Sequence, residues 1–518
     1  MLHGQPATGP FSYARAVPRK TSTGVIVSAS SGVNYTKVDP AYFDKRGLRR
    51  YAGVWSLWAL GVGAVISGHF SGWNLGLANG WGSMFLATVV IAIMYLGLTF
   101  SLAEMSPALP HTGGAYSFAR TALGPWGGFL TGLAENVEYV LTPAVIVYFI
   151  SSYMSSIFGT AAAMLPVWWI GFYILFVGLN IVGVELSFKV TLVVTLLALA
   201  CLVVFWISAL PSIDFALWAM NVGADGAVLI EGHGPFLPKG FMGVLACLPF
   251  AVWLFLAIEQ LPLAAEESID PSRDMPRGIL AGIFTLIVSA FMILWLNPSV
   301  AGVGSHKLAT SGEPLLDGLK AIYGEGIAKT LATVAVLGLI ASFHNIVFAK
   351  GRQIYSLSRA GYFPTVLSIT HGRRKTPHLA MMAGSALALA VMFALWFNLG
   401  AEKGAAVIGG NLLNMAVFGA MISYIMQAVA FIELRRHYPT LHRPYRSPFG
   451  TWGAGLTVVI AAVTLYFQLT DPVYREGVLW VALWFSIGIL YFSLVGRHRL
   501  ILSPEEEFAR DHRNAGQA

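Results

Sequence analysis

Twelve runs of about 20 predominantly apolar residues divide this chain, and each is long enough to cross the ~30 Å hydrocarbon core of a bilayer as a helix. Reading along the chain, the runs cover Gly53–Leu77, Trp81–Met105, Phe129–Phe158, Val167–Val184, Phe188–Leu210 and Phe241–Ala265. They continue as Gly278–Val300, Ile327–Phe348, Leu379–Phe397, Val407–Leu434, Gly455–Leu469 and Leu479–Val495. Composition agrees: 56% of the 518 residues are hydrophobic and 11% are charged, against roughly 25% charged in soluble domains. The expected fold class is therefore an all-α polytopic membrane protein. A net charge of +7 does not point to nucleic acid, because the charges sit in loops between apolar runs rather than on one face. Cys201 and Cys247 lie inside apolar runs and read as small buried hydrophobes.

The basic residues give an orientation. Lys239, Lys307, Lys320, Lys329, Lys403 and Arg475 fall on one side, which leaves 26 of the 32 Lys and Arg on the other. By the positive-inside rule the richer side is cytoplasmic. Both termini are then expected inside and the number of spans even. The N-terminal tail is polar and basic, with no short apolar core before a cleavage site, so the first span is expected to act as its own insertion signal. The tail up to about Arg46 is rich in Ser, Thr and Gly and is expected to be mobile. A stretch around Phe215–Met220, in the long loop Pro211–Lys239, is amphipathic and is expected to lie along the membrane surface.

Two spans carry helix-weakening residues at mid-membrane. The first contains Ser67-Gly68-His69-Phe70-Ser71-Gly72, and the sixth contains Pro249, Trp253 and Pro262. Incomplete helices at membrane depth are tolerated where they line a protein-buried cavity. A matched pair in two halves of a chain is the best sequence pointer to a secondary transporter. Close helix packing is the other reason for Gly and Pro in such spans.

Five motifs follow in order. They are LAEMSPALPHTGGAY (Leu102–Tyr116), GPWGGFLTGLAENVEYVLTPA (Gly124–Ala144), AAEESIDPSRDMPRGI (Ala264–Ile279), AKGRQIYSLSRAGYFP (Ala349–Pro364) and HRPYRSPFG (His442–Gly450). Together they resemble the amino acid–polyamine–organocation transporter superfamily from about Tyr51 to Val495. Within it, GAVISGHFSGWNLGL and LAENVEYVLTPA look most like the ethanolamine permease branch. The resemblance implies a leucine-transporter-like core of five plus five helices in inverted repeat, followed by two C-terminal helices. Residues 51–210 and 211–434 would form the two repeats and 435–496 the last two spans, with cytoplasmic tails at 1–50 and 497–518. It implies a central site between spans 1, 3, 6, 8 and 10, alternating access by proton coupling or exchange, and a bacterial-type inner membrane. No metal and no cofactor is implied.

By that resemblance Ser67, Gly68 and His69 form the substrate-facing break of span one. His69 is bulky there. It could crowd a carboxylate, hydrogen-bond a hydroxyl, or serve as a polar packing residue. Span three carries Glu135 and Glu138 on one helical face. Charged groups inside a span are expensive and usually face the interior. A cationic substrate without a carboxylate needs a counter-charge from its carrier, and Glu138, with Tyr139 beside it, is the leading candidate. Glu135 is the better candidate for a helix-anchoring ion pair or for coupling. In span six, Trp253 is expected to cover an ammonium by cation–π attraction, and Glu259 to contact substrate, titrate or gate. Lys189, early in span five, is expected either to couple protons after desolvation or to snorkel to the surface. His344, Asn345, Lys350, Asn411 and Asn414 are either cavity-lining or interhelical hydrogen-bonding groups. Glu104, Glu266, Glu267 and Arg273 are expected to gate and anchor through ion pairs.

The functional expectation is a permease importing ethanolamine or a similar small primary amine. An amino acid or polyamine carrier is the alternative, and a transporter-like sensor a further one. No zinc helix, nucleophile elbow or phosphate loop suggests an enzyme.

Overall fold

The computed structural model describes residues 33–36, 42, 45–223, 229, 232–470 and 475–501. The expectations for the two tails fall largely outside these residues, as does part of the 211–239 loop. Eleven apolar helical segments and one bent pair, each long enough to cross a membrane, give the twelve spans. In chain order the elements are β1 (Tyr35–Thr36), α1 (Val54–Val65), α2 (Ser67–Phe70), α3 (Trp81–Ala108), α4 (Ala115–Phe158), α5 (Leu165–Val182) and α6 (Val184–Ala209). Then come α7 (Gly240–Trp253), α8 (Pro271–Leu296), α9 (Gly304–Leu308), α10 (Pro314–Arg359) and α11 (His378–Leu399). Last are α12 (Ala401–His437), α13 (Gly450–Thr470), α14 (Arg475–Leu494) and β2 (Leu500–Ile501). The amphipathic stretch forms a single wide turn at Phe215–Ala219, capped where the Asp214 side chain accepts from the Leu217 N–H.

Burial sorts most of the spans into two layers, with α8 between them at 50%. In α3, α4, Gly240–Glu267, α10 and Val407–His437, 67–78% of the most apolar stretch is buried. In the spans of α5, α6, α11, α13 and α14 the share is 11–39%. The first group forms the inner bundle around the bent first span, and the second faces lipid. Because lipid tails are as apolar as leucine, close approach of small residues does much of the joining between helices. At the crossing of α3 and α13, a Cβ on Gly97 would lie 2.4 Å from the Gly453 carbonyl oxygen. Thr457, four residues on, donates to the Met94 carbonyl at 3.0 Å.

Two helices run beyond their apolar runs. α4 begins with a short piece, turns at Gly124 (φ 79°), and continues through the membrane. α10 turns at Gly324 (φ 75°) and carries on to Arg359, well past the expected end at Phe348. Lys350, Arg352 and Arg359 are consequently buried helical residues rather than loop cations, because partners on other elements meet them.

β1 pairs with β2 in parallel, Tyr35 opposite Leu500 and Thr36 opposite Ile501. The chain before the first span and the chain after the last therefore meet on one side of the membrane, as an even number of spans requires.

The Gly97 contact is testable. Gly97→Leu should lower stability by about 1–3 kcal/mol through overpacking, read as a lower melting temperature of the detergent-purified protein, whereas Gly455→Leu, in open space, should change it little.

Candidate functional site

Both mid-membrane breaks are present, and they touch. In span one α2 ends at Phe70. Ser71 is extended, Gly72 takes φ 96°, and the chain resumes as a tight helix over Trp73–Asn79, bent by 42°. In span six α7 stops at Trp253, and four residues of turn lead to Ala257 at φ 86° and a tight helix over Ile258–Glu267. A left-handed alanine costs roughly 1–2 kcal/mol, so this break is held by its surroundings. The Ala257 N–H, freed from the helix, donates to the Glu259 carboxylate at 3.0 Å.

Three contacts stitch one break to the other. A Cβ on Gly68 would lie 2.3 Å from the Trp253 carbonyl oxygen, so only glycine fits. The Trp253 indole donates to the Ser71 carbonyl at 3.0 Å. His69 donates through Nε2 to the Leu254 carbonyl at 3.0 Å, which leaves Nδ1 to accept from the Ser289 hydroxyl at 2.7 Å. His69 is thus a fully buried strut between three elements, the packing role among those expected for it. Behind span one, Ser342 of α10 accepts from the Ser67 N–H at 2.8 Å and donates to the Gly63 carbonyl at 2.7 Å. The Gly72 N–H is taken by Asn74 Oδ1 at 2.9 Å.

Beside these breaks the structure brings together Glu135, Glu138 and Glu259, all essentially inaccessible. Glu138 and Glu259 lie close enough to act on each other electrostatically, and neighbouring buried carboxyls resist being ionised together. The Tyr424 hydroxyl of α12 reaches Glu138 Oε1 at 3.5 Å and Tyr95 of α3 at 3.0 Å. Tyr139 packs on Leu263 and Ala349, within the field of all three acids. Glu138 Oε2, Glu135 Oε2, Glu259 Oε1 and the Tyr139 hydroxyl are buried with no hydrogen-bond partner. Among the described residues no lysine or arginine pairs with any of the three acids. Buried carboxylates usually acquire a counter-charge or a proton.

The other acids have arginine partners. Glu267 and Arg352 form a two-pronged pair, the shorter contact 2.7 Å, with both side chains inaccessible. Glu266 meets Arg359 at 2.5 Å, with His111 alongside. Glu104 is gripped by Arg435 at 2.5 Å and Arg443 at 3.1 Å, and accepts the Ser447 N–H at 2.7 Å. These pairs join span ends, which fits the anchoring part of what was expected of these acids.

Several expected residues lie elsewhere. Lys189 is on the surface, its side chain 62% exposed and paired with Glu185 at 2.9 Å. It is not desolvated, so its position fits snorkelling and removes the basis for a coupling role. Arg273 is exposed in the first turn of α8 and makes no ion pair among those described. Glu135 has no cationic partner, contrary to the anchoring expectation. His344 bonds to Asn180 and Ser187 at 3.0 Å, and Asn345 accepts from Thr191 at 2.5 Å, both interhelical. Lys350 is fully buried and donates to Ser385 at 2.7 Å. Asn411 faces a membrane-side cavity. The Asn414 carbonyl accepts from Gln468 at 3.2 Å. Tyr95, Tyr424 and Ser342 were not singled out in the sequence, where a lone hydroxyl in an apolar run carries no mark.

Residues 58–497 match the family model described as amino acid permease. The chain belongs to the amino acid permease family. Members of this family are transporters, not enzymes, and this one is a secondary transporter embedded in the membrane by its apolar helices. An uncharacterized transporter of Rhizobium meliloti is 27% identical over 82% of this chain and 88% of its own. A branched-chain amino acid permease of Bacillus subtilis is 24% identical, over 93% and 98%. The methylthioribose transporter of the same organism is also 24% identical, over 89% and 97%. Relatives at equal distance thus carry names with chemically different cargoes.

Two outcomes follow from these placements. Arg352→Met leaves Glu267 buried and unpaired, and should destabilise by about 3–5 kcal/mol. Adding Glu267→Gln should recover most of the lost melting temperature. Lys189→Ala should leave both the melting temperature and the pH profile of transport unchanged.

Proposed function

We propose that this permease imports ethanolamine, or a closely related small primary amine, by alternating access. The observation that carries the reading is the meeting of Glu135, Glu138 and Glu259 without a lysine or arginine. A primary ammonium offers three N–H donors, and four buried oxygen atoms on these acids and Tyr139 await partners. Trp253, at the edge of the second break, would close over the bound amine. An amino acid would bring a carboxylate into a field of three acids. The N–H groups of Ser67 and Gly72, which a carboxylate would seek at the first break, are already engaged by Ser342 and Asn74.

Three carboxyl groups buried together without a cation resist being ionised at once, so the empty cluster carries a proton, and that proton gives a route to coupling. An arriving ammonium takes the proton's place, so binding releases one proton, and transport runs as proton-coupled movement or exchange. The distribution of Lys and Arg supports cytoplasmic tails at 1–50 and 497–518 in a bacterial-type inner membrane. The paired breaks support repeats at 51–210 and 211–434, followed by two helices at 435–496.

The name of the Bacillus branched-chain relative favours a second reading, an amino acid carrier. Competition distinguishes them. In proteoliposomes, uptake of labelled ethanolamine should be inhibited by other 2-amino alcohols and not by glycine or serine. A requirement for a free carboxylate would sink the amine reading. Glu138→Gln should raise the half-saturating ethanolamine concentration at least tenfold with little change in melting temperature, and unaltered uptake would take Glu138 out of the site. In weak buffer, ethanolamine added to the purified protein should acidify the medium, and Glu259→Gln should abolish that signal.

A further inference from the structure

A second cavity lies away from the acid cluster, between α4, α11, α12 and α14, with a volume of about 330 Å³. Val140, Val391, Leu395 and Ile487 make its wall mainly apolar, and the amides of Asn136, Asn398 and Asn411 and the indoles of Trp480 and Trp484 are set into it. Asn398 lies two residues before Gly400, where α11 passes into α12, so that end of the wall lies near the membrane surface. From Leu387 to Leu399, both on its wall, α11 climbs about 18 Å. One leaflet of hydrocarbon is about 15 Å deep, half of the ~30 Å core. The cavity therefore runs from the Asn398 end to the region of the bilayer midplane.

The cavity opens sideways. Leu387, Trp480, Leu483 and Ile487 line it and are also exposed on the outside of the bundle, where lipid covers them. α14 makes much of that wall, and only 11% of its apolar stretch is buried, the smallest share of any span. An apolar space of this kind favours an apolar occupant over water.

We propose that this cavity binds one acyl chain of a bilayer phospholipid, with the ester region toward Asn398. The chain would brace α4 against α12. On α4, Val137 and Val140 face the cavity, while Glu138, between them in sequence, faces Tyr424. On α12, Met415 touches the cavity and Tyr424 lies further along the same helix. A lipid chain at this place backs the two helices that hold the acid cluster.

Native mass spectrometry tests this. The protein is reconstituted in vesicles of phosphatidylglycerol and phosphatidylcholine, then extracted in mild detergent. Wild type should retain one phospholipid per chain. Ala394→Trp, which fills the cavity from α11, should cut the lipid-bound fraction at least tenfold. Val459→Trp, on the lipid face of α13 outside the cavity, should retain it. Val391→Phe is a smaller filling change for use if Ala394→Trp lowers the melting temperature severely. Lipid-free wild type, or equal retention by a folded filling variant, overturns the proposal. So does a lipid-free dimer that the filling variants dissociate, since a second copy would then cover the cavity.

Discussion

The contact between Gly68 and the Trp253 carbonyl governs the centre of this protein. Two helices are interrupted at membrane depth, where an unpaired backbone group has no water to turn to. Each interruption is satisfied largely by the other or by an adjoining helix. The Trp253 indole, the His69 ring and Ser342 take up backbone groups that the breaks release, and glycine at position 68 lets the chains come close enough for this. The left-handed Ala257 becomes tolerable because its N–H is claimed by Glu259. That same bond holds the Glu259 carboxylate beside Glu138, so the break and the acid cluster are one construction.

Charge in this protein is divided by location. Toward the span ends, three acids have arginines: Glu267 with Arg352, Glu266 with Arg359, Glu104 with Arg435 and Arg443. At the centre, three acids have hydroxyls and one another. Burying a carboxyl without a cation is unfavourable, and a transporter can use that unfavourable state. A site that lacks its counter-charge until cargo arrives gains most from cargo of the right sign. The end pairs, already neutralised, hold helices together whether or not cargo is bound.

Much of this was legible in the sequence. All twelve spans were, because a bilayer demands a run of fixed length and polarity, and so was the neighbourhood of both breaks, although Pro249 and Pro262 stand inside helical segments and the second break falls between them, at Leu254–Ala257. The convergence of Glu138 and Glu259 was only half legible. Each acid announces itself in an apolar run, but that they face each other depends on how α4 rotates against the second break. Lys189 shows the limit most clearly. Its place near a span end is equally consistent with a desolvated amine and a surface one, and only the packing of α6, with Glu185 one turn away, separates them. The extension of α10 to Arg359 was hidden for a related reason. Its last turns are polar, and they are buried because Glu266 and Glu267 come to meet them from another part of the chain.

The short parallel pairing of β1 with β2 has a mechanical meaning. Ile501 donates its N–H to the Ala360 carbonyl at 3.0 Å, directly after the last turn of α10, and its own carbonyl accepts from Arg120 at 3.1 Å, in the short piece that opens α4. The two ends of the chain are thus clasped to each other and fastened to the bases of the helices that carry Arg352, Arg359 and Glu138. Any force applied to either tail, by a tethered partner or by a modifying group, has a short rigid lever to the pairs that lock the second broken span.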